Sequence, residues 1–138
     1  MNDPIFHMVA DAPIPVAPFS HAVETNGWVF VTGQLPIDPD DDSAPLPEGI
    51  EAQTLKVFAN LQRVLSSLDL GLEHVLSARV FLTDFYTDYE AMNAVYASYF
   101  PHDRRPARTC VGVTGLAREA LVEIDFIARR PTSRPFNP

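Results

Sequence analysis

What this chain has little of sets the first limits. Cys110 is its only cysteine, so no disulfide can close within the chain, and a reducing, cytoplasmic compartment is the expectation. Lys56 is its only lysine, and 18 acidic residues against 10 basic ones give a formal charge of −8. That balance argues against a nucleic-acid partner, although Arg104, Arg105 and Arg108 are close enough to form a local basic pocket. No apolar run approaches the ~20 residues that cross a bilayer, so no membrane partner is expected. Residues 1–12 carry Asp3 and Asp11 and lack the basic-then-apolar layout of a secretory leader. There is no glycine-rich phosphate loop and no internal repeat. His7, His21, His74 and His102 show no pairing at metal-ligand spacing, so no metal site is expected.

What is there suffices for one domain over residues 1–138 with a genuine core. Residues 1–18 are rich in proline and small residues; an extended arm is expected over 1–14 and a loose tail over 130–138. Asn26-Gly27 between two alternating runs, Ser20 to Thr25 and Trp28 to Thr32, predicts a hairpin with a type I′ turn. Residues 37–48, with four aspartates and three prolines, read as a solvated loop without function.

From Gly49 the period turns helical. Ile50, Val57, Phe58, Leu61, Val64, Leu65 and Leu68 share a face, and Gly71 is the expected stop. Val75 to Thr83 is a strand with Leu76, Ala78, Val80 and Leu82 on one side. Thr87 and Glu90 have the spacing of a capping box opening a second helix, on which Met92, Tyr96, Tyr99 and Phe100 form a face before Pro101. Asn93 stands beside that face, either at a contact or in solvent.

Chemistry concentrates at Arg104 to Cys110. In a strand from Arg108 to Thr114, Arg108, Cys110 and Gly112 share one side, while Thr109, Val111 and Val113 read as core. A rigidly held arginine suits bidentate capture of a carboxylate or phosphate, and equally a structural ion pair. Ala120 to Ala128 is the last strand. Paired as an antiparallel hairpin with the previous one, it would set Cys110 opposite Glu123 and Arg108 opposite Asp125, gathering an arginine, a thiol and two carboxylates on one patch.

The order is β-β-α-β-α-β-β, an α+β fold with two helices on one face of a mixed sheet. One helical layer leaves the other face, with Leu121, Glu123, Asp125 and Ile127, to meet a further subunit, so a homo-oligomer is expected.

Six segments in order then become familiar: Pro18-Phe19-Ser20-His21-Ala22, Phe30 through Pro36, Val80 through Asp84, Asn93-Ala94-Val95-Tyr96, Arg105 through Val111, and Val122-Glu123-Ile124-Asp125. In these, from about Pro15 to Ala128, the chain resembles the RidA (YjgF) family, the reactive intermediate imine/enamine deaminases. The resemblance implies a chorismate-mutase-like fold and a homotrimer with ligand clefts between subunits. It implies hydrolysis of small 2-imino or enamine acids to 2-keto acids and ammonia, without metal or organic cofactor. Arg108 matches the arginine that holds the substrate carboxylate, and Glu123 the residue that orients the hydrolytic water. Asn93 and Cys110 match other cleft residues, and Thr32 stands where a serine usually lines the same pocket. Phe19 departs from the usual tyrosine, and Ala17 and His21 from the usual glycine and glutamine. No histidine neighbours Cys110 in sequence as a base, so the thiol reads as pocket wall. Arg105 either lines the entrance or is simply solvated. Three other classes stay open: a carboxylate-binding or regulatory protein, a pathway-specific hydrolase of a larger imine, and, disfavoured by the acidity, an endoribonuclease.

Overall fold

A computed structural model of the protein describes residues 3–131. Among them six strands form one sheet: β1 (Ile5–His7), β2 (Ala22–Thr25), β3 (Trp28–Gln34), β4 (Val75–Leu82), β5 (Ala107–Gly112) and β6 (Val122–Arg129). The helices are α1 (Ile50–Ser67) and α2 (Phe85–Ala97). Strand order is β1-β2-β3-β6-β4-β5, antiparallel throughout except for the parallel pair β4–β5.

The Asn26-Gly27 hairpin forms as expected, with φ of 51° and 82° at the two turn residues, the positive angles that a type I′ turn requires. The arm adds β1 to that hairpin as an edge strand, Phe6 opposite Val23. Both helices pack on one sheet face. Val57, Phe58, Leu61, Val64 and Leu65 of α1 are fully buried against Val29, Val80, Ile124 and Phe126, each side chain contributing roughly 1.5–3 kcal/mol. Phe58 stacks on Tyr99 with ring centroids 4.1 Å apart, which fastens the segment beyond α2 to α1.

Several local expectations are corrected. Helix α1 stops at Leu68, with the positive φ of 58° at Asp69, whereas Gly71 is extended. Helix α2 opens after Asp84, so Thr87 and Glu90 lie inside its first turns and form no capping box. An irregularity between Val75 and Ser77 buries Val75 and turns Leu76 out to solvent.

The largest correction concerns β5 and β6, which are not partners. Helix α2 is a crossover connection, and such connections deliver parallel strands, so β5 adds to the outer edge of β4. The chain then passes back over residues 113–121 to insert β6 between β3 and β4. In that central slot Val122, Ile124, Phe126 and Ala128 are all buried, and the alternating side faces the open surface.

Arg118 at the 113–121 crossing is ion-paired with Asp42 at 2.9 Å, which ties the acidic loop to it. Buried Asn60 donates to the carbonyls of Leu35 and Ile37, just after β3, and Gln53 accepts from the Leu121 amide, just before β6, so α1 fixes the chain at the exit of one strand and the entry of the other. Of the tail, Arg130 is bound through two hydrogen bonds to Glu24; residues 132–138, where a loose tail was expected, lie outside the described residues.

Candidate active site

Arg108, Cys110 and Gly112 pair in register with Ala78, Val80 and Leu82, whose side chains are buried beneath the helices. Arg108 therefore points to the helical side of the sheet, and Thr109 and Val111, expected in the core, face the open side with Val111 41% exposed. Beneath α2 the Arg108 guanidinium lies 4.8 Å over the Tyr96 ring and 5.9 Å from that of Tyr89. Its contact with the Tyr89 hydroxyl is long, at 3.5 Å. Tyr89, Asn93 and Tyr96 recur at helical spacing, so α2 presents all three to β5.

Asn93, Tyr96, Ala97, Arg105, Pro106 and Arg108 line a cavity of about 310 Å³. The Asn93 Oδ1 and the Tyr96 hydroxyl are buried there without a hydrogen-bond partner among the described residues. Burial pushes the Tyr96 hydroxyl's pKa up, against the smaller pull of Arg108 and Arg105. Burial likewise raises the Cys110 thiol's pKa, again opposed by Arg108, so a thiolate nucleophile is disfavoured; Cys110, expected as pocket wall, is not among the residues lining this cavity. Arg108 has no carboxylate partner among the described residues.

Glu123 occupies the other face. It pairs with Phe81 across β4, and its neighbour Asp125 pairs with Arg79. Arg79 captures Asp125 through both carboxylate oxygens, with Nη2 to Oδ2 at 2.7 Å. The juxtaposition of Arg108 with Asp125 expected from a β5–β6 hairpin is absent, and Asp125 is paired with Arg79 instead. Glu123 is left half-buried with no hydrogen bond or ion pair among the described residues. Burial first, and the charge of Asp125 second, hold its pKa above the usual carboxylate value.

A bulge in β3 places both Thr32 and Gly33 opposite Asp125, between the Val31–Phe126 and Gln34–Ile124 pairs. Gly33 lies directly beneath the Glu123 side chain: a Cβ there would come within 2.9 Å of the carboxyl carbon. Phe19 borders a narrow cleft with Gly33 and Gln34, so it belongs to the Glu123 side. His21, buried, holds this arm in place. Its Nδ1 accepts from the Val9 amide at 2.8 Å, which leaves Nε2 to donate to the Pro13 carbonyl at 2.7 Å.

The expected site residues thus separate into two sets. Arg108 and Cys110 on β5 and Asn93 on α2 lie on the helical side; Glu123, Thr32 and Phe19 lie on or beside the open face. Tyr89 and Gly33 were missed from sequence, though the i, i+4, i+7 spacing from Tyr89 through Asn93 to Tyr96 carried the signal for the first. The open face also exposes Trp28 by 42% and Phe30 by 46%. Among the described residues no group of acidic, histidine and cysteine side chains is placed to hold a metal, and no helix is long and apolar enough to cross a membrane.

Comparisons with known proteins agree with this architecture. A RutC family protein of Synechocystis is 41% identical over 123 residues, 89% of this chain and 94% of that protein. The 3-aminoacrylate deaminase RutC of Acinetobacter baylyi is 39% identical over 116 residues, 84% of this chain and 90% of that one. The crystal structure of YyfA from Yersinia pestis, described as a member of the conserved Rid protein family of unknown function, superposes with a TM-score of 0.85. It is 32% identical and covers 92% of this chain and 99% of its own. A family model described as Endoribonuclease L-PSP matches residues 9–130. The chain belongs to that family, the YjgF/RidA family, and has its α+β fold.

Proposed function

We propose that the protein hydrolyses small 2-imino acids, and the enamines that tautomerise to them, to 2-keto acids and ammonia. The observation that carries this reading is the seat of Arg108. In a chain of charge −8 this half-buried guanidinium has no acidic partner among the described residues, and it lies over the Tyr96 ring beside a cavity. A fixed, unpaired fork of donors is what a substrate carboxylate needs. The 3-aminoacrylate deaminase among the relatives supports the same chemistry.

Because Arg108 and Glu123 point to opposite sides of their own sheet, the reading requires clefts in which the helical side of one copy meets the open face of another. Such a contact joins two different surfaces, which repeats into a closed ring when its rotation closes; a homotrimer is the ring implied by the resemblance. Covering Trp28 and Phe30 would contribute to it.

In the cleft, the substrate carboxylate rests on Arg108, and the Asn93 Oδ1 accepts from the iminium N–H. Glu123 takes a proton from a water whose oxygen adds to the iminium carbon, giving a carbinolamine. Glu123 then returns that proton to the amine nitrogen. The C–N bond breaks as Glu123 takes the hydroxyl proton to form the keto group; ammonia leaves, and Glu123 passes that proton to solvent for the next turnover. Proton transfer by a positioned group of this kind is worth roughly 10²–10⁴-fold.

The test is ammonia release from freshly generated 2-iminopropionate and 2-iminobutyrate. Arg108→Ala is expected to lose on the order of 2–5 kcal/mol of transition-state binding, well over tenfold in kcat/KM. A wild-type protein no faster than the uncatalysed reaction would overturn the reading.

A further inference from the structure

We infer that this site prefers imines carrying a second anionic group, with Arg105 holding that group while Arg108 holds the first. Two guanidiniums line the same 310 Å³ cavity, and neither has a carboxylate partner among the described residues. Arg63, Arg104 and Arg129 also lack a carboxylate partner among the described residues, but none of them lines this cavity. Arg79, Arg118 and Arg130 each have a carboxylate at 2.7–2.9 Å. Glu73 and Asp103 border an adjoining cavity with Arg104 and Arg105, yet neither reaches ion-pair distance. Two like charges bordering one cavity repel each other, and a bound dianion offers each of them a counter-charge where a monoanion serves only one.

The spacing is compatible. Arg105 and Arg108 are three residues apart, which in extended chain separates their Cα atoms by about 10 Å. Both long side chains border the one cavity, and a four- or five-carbon diacid is the ligand proposed to bridge them. Tyr96 and Asn93 line the same cavity, and their buried hydroxyl and Oδ1, without partners among the described residues, are suited to the imine nitrogen. Arg108 and Arg105 both oppose the rise that burial gives the Tyr96 hydroxyl's pKa.

The kinetic part rests on the hydrolase reading above; the binding part does not. Wild-type protein is assayed with 2-iminoglutarate and 2-iminobutyrate, each generated in situ. Binding of glutarate and butyrate is measured in parallel by calorimetry. The expected result is a diacid-to-monoacid ratio of at least about tenfold in kcat/KM and in affinity, since each such factor is one well-made charge contact. The ratio collapses toward one in Arg105→Gln and is partly restored in Arg105→Lys. A wild-type ratio near one, or a ratio that Arg105→Gln leaves in place, overturns the inference. If neither imine is turned over, the hydrolase reading fails, and calorimetry alone decides the dianion site by the same ratio.

Discussion

Arg108 and Glu123 project from opposite faces of one sheet, with β4 lying between their strands. Arg108 is in register with Ala78 and Glu123 with Phe81, and the alternation along β4 sends these positions to opposite sides. No movement within one chain brings the two groups together without dismantling the sheet. A site that uses both must therefore be composite. Arg108→Ala and Glu123→Gln should each abolish imine hydrolysis. Mixed oligomers refolded from equal amounts of the two should recover about a quarter of the wild-type rate, because one cleft in four then joins an intact Arg108 to an intact Glu123. Mixtures that stay inactive after confirmed subunit exchange would place both groups' roles elsewhere.

The second prediction follows from the raised pKa of Glu123. A general base works ionised, so kcat/KM should fall on acidification along a limb above the usual carboxylate range. Asp125→Asn removes a negative neighbour and frees the Arg79 cation; both changes favour the ionised form and should move the limb to lower pH. For stability the sign reverses. A carboxylate whose folded pKa is raised penalises the fold above that pKa, and the penalty is relieved as pH falls through it. Glu123→Gln should thus raise the melting temperature at neutral pH, with the gain fading in acid. pH–rate profiles and thermal melts across the same buffers check both.

Gly33 supplies the third. Its backbone lies under the Glu123 side chain, and an added Cβ would sit 2.9 Å from Cδ and 3.1 Å from Cγ. The carboxylate is the free end of a flexible side chain, so it can swing aside at little cost to the fold. Gly33→Ala should then lower kcat by about 10–100-fold through misplacement of the base, while the melting temperature moves by only a few degrees. A large loss of stability with kcat intact would mean that Gly33 serves packing instead.

Much of this was readable in the chain itself. Asn26-Gly27 specifies its turn through backbone sterics, and the α1 stripe from Ile50 to Leu68 reports a single buried face; both are local signals. The site residues were named through family resemblance, but their separation onto two faces was not, because that depends on which strand β6 joins. Residues 113–121 permit either a hairpin with β5 or a return to the centre of the sheet, and nothing in Gly115 or Glu119 selects between them. The choice is made by burial: Val122, Ile124, Phe126 and Ala128 need apolar neighbours on both sides, and only the slot between β3 and β4 provides them. The same global decision gave Asp125 to Arg79 and left Arg108 unpaired.

The fourth prediction concerns how the end of β6 is fastened. Arg130 donates from Nε and Nη2 to Glu24 at 2.7 and 2.9 Å, and its Nη1 reaches the Leu68 carbonyl at the C-terminus of α1 at 2.8 Å. His7 contacts the same carboxylate at 3.1 Å, so one glutamate joins the arm, the hairpin and the last strand. Its side chain is only 13% exposed, and the hydrogen bond from Arg130 is the main reason its pKa lies below the usual value. Glu24→Gln should cost about 1–3 kcal/mol at pH 7, the range for losing a charged hydrogen-bond partner in a mostly buried site. A carboxylate with a lowered folded pKa contributes stability that is present above its unfolded value and lost as pH falls through the folded one. The gap between wild type and variant should therefore close in acid. Denaturant titrations at pH 7 and in acid, at fixed protein concentration so that assembly does not shift the midpoint, measure that gap. A gap that persists unchanged in acid would assign the contribution to shape and packing, and a double-mutant cycle with Arg130→Met would then show no coupling between the two positions.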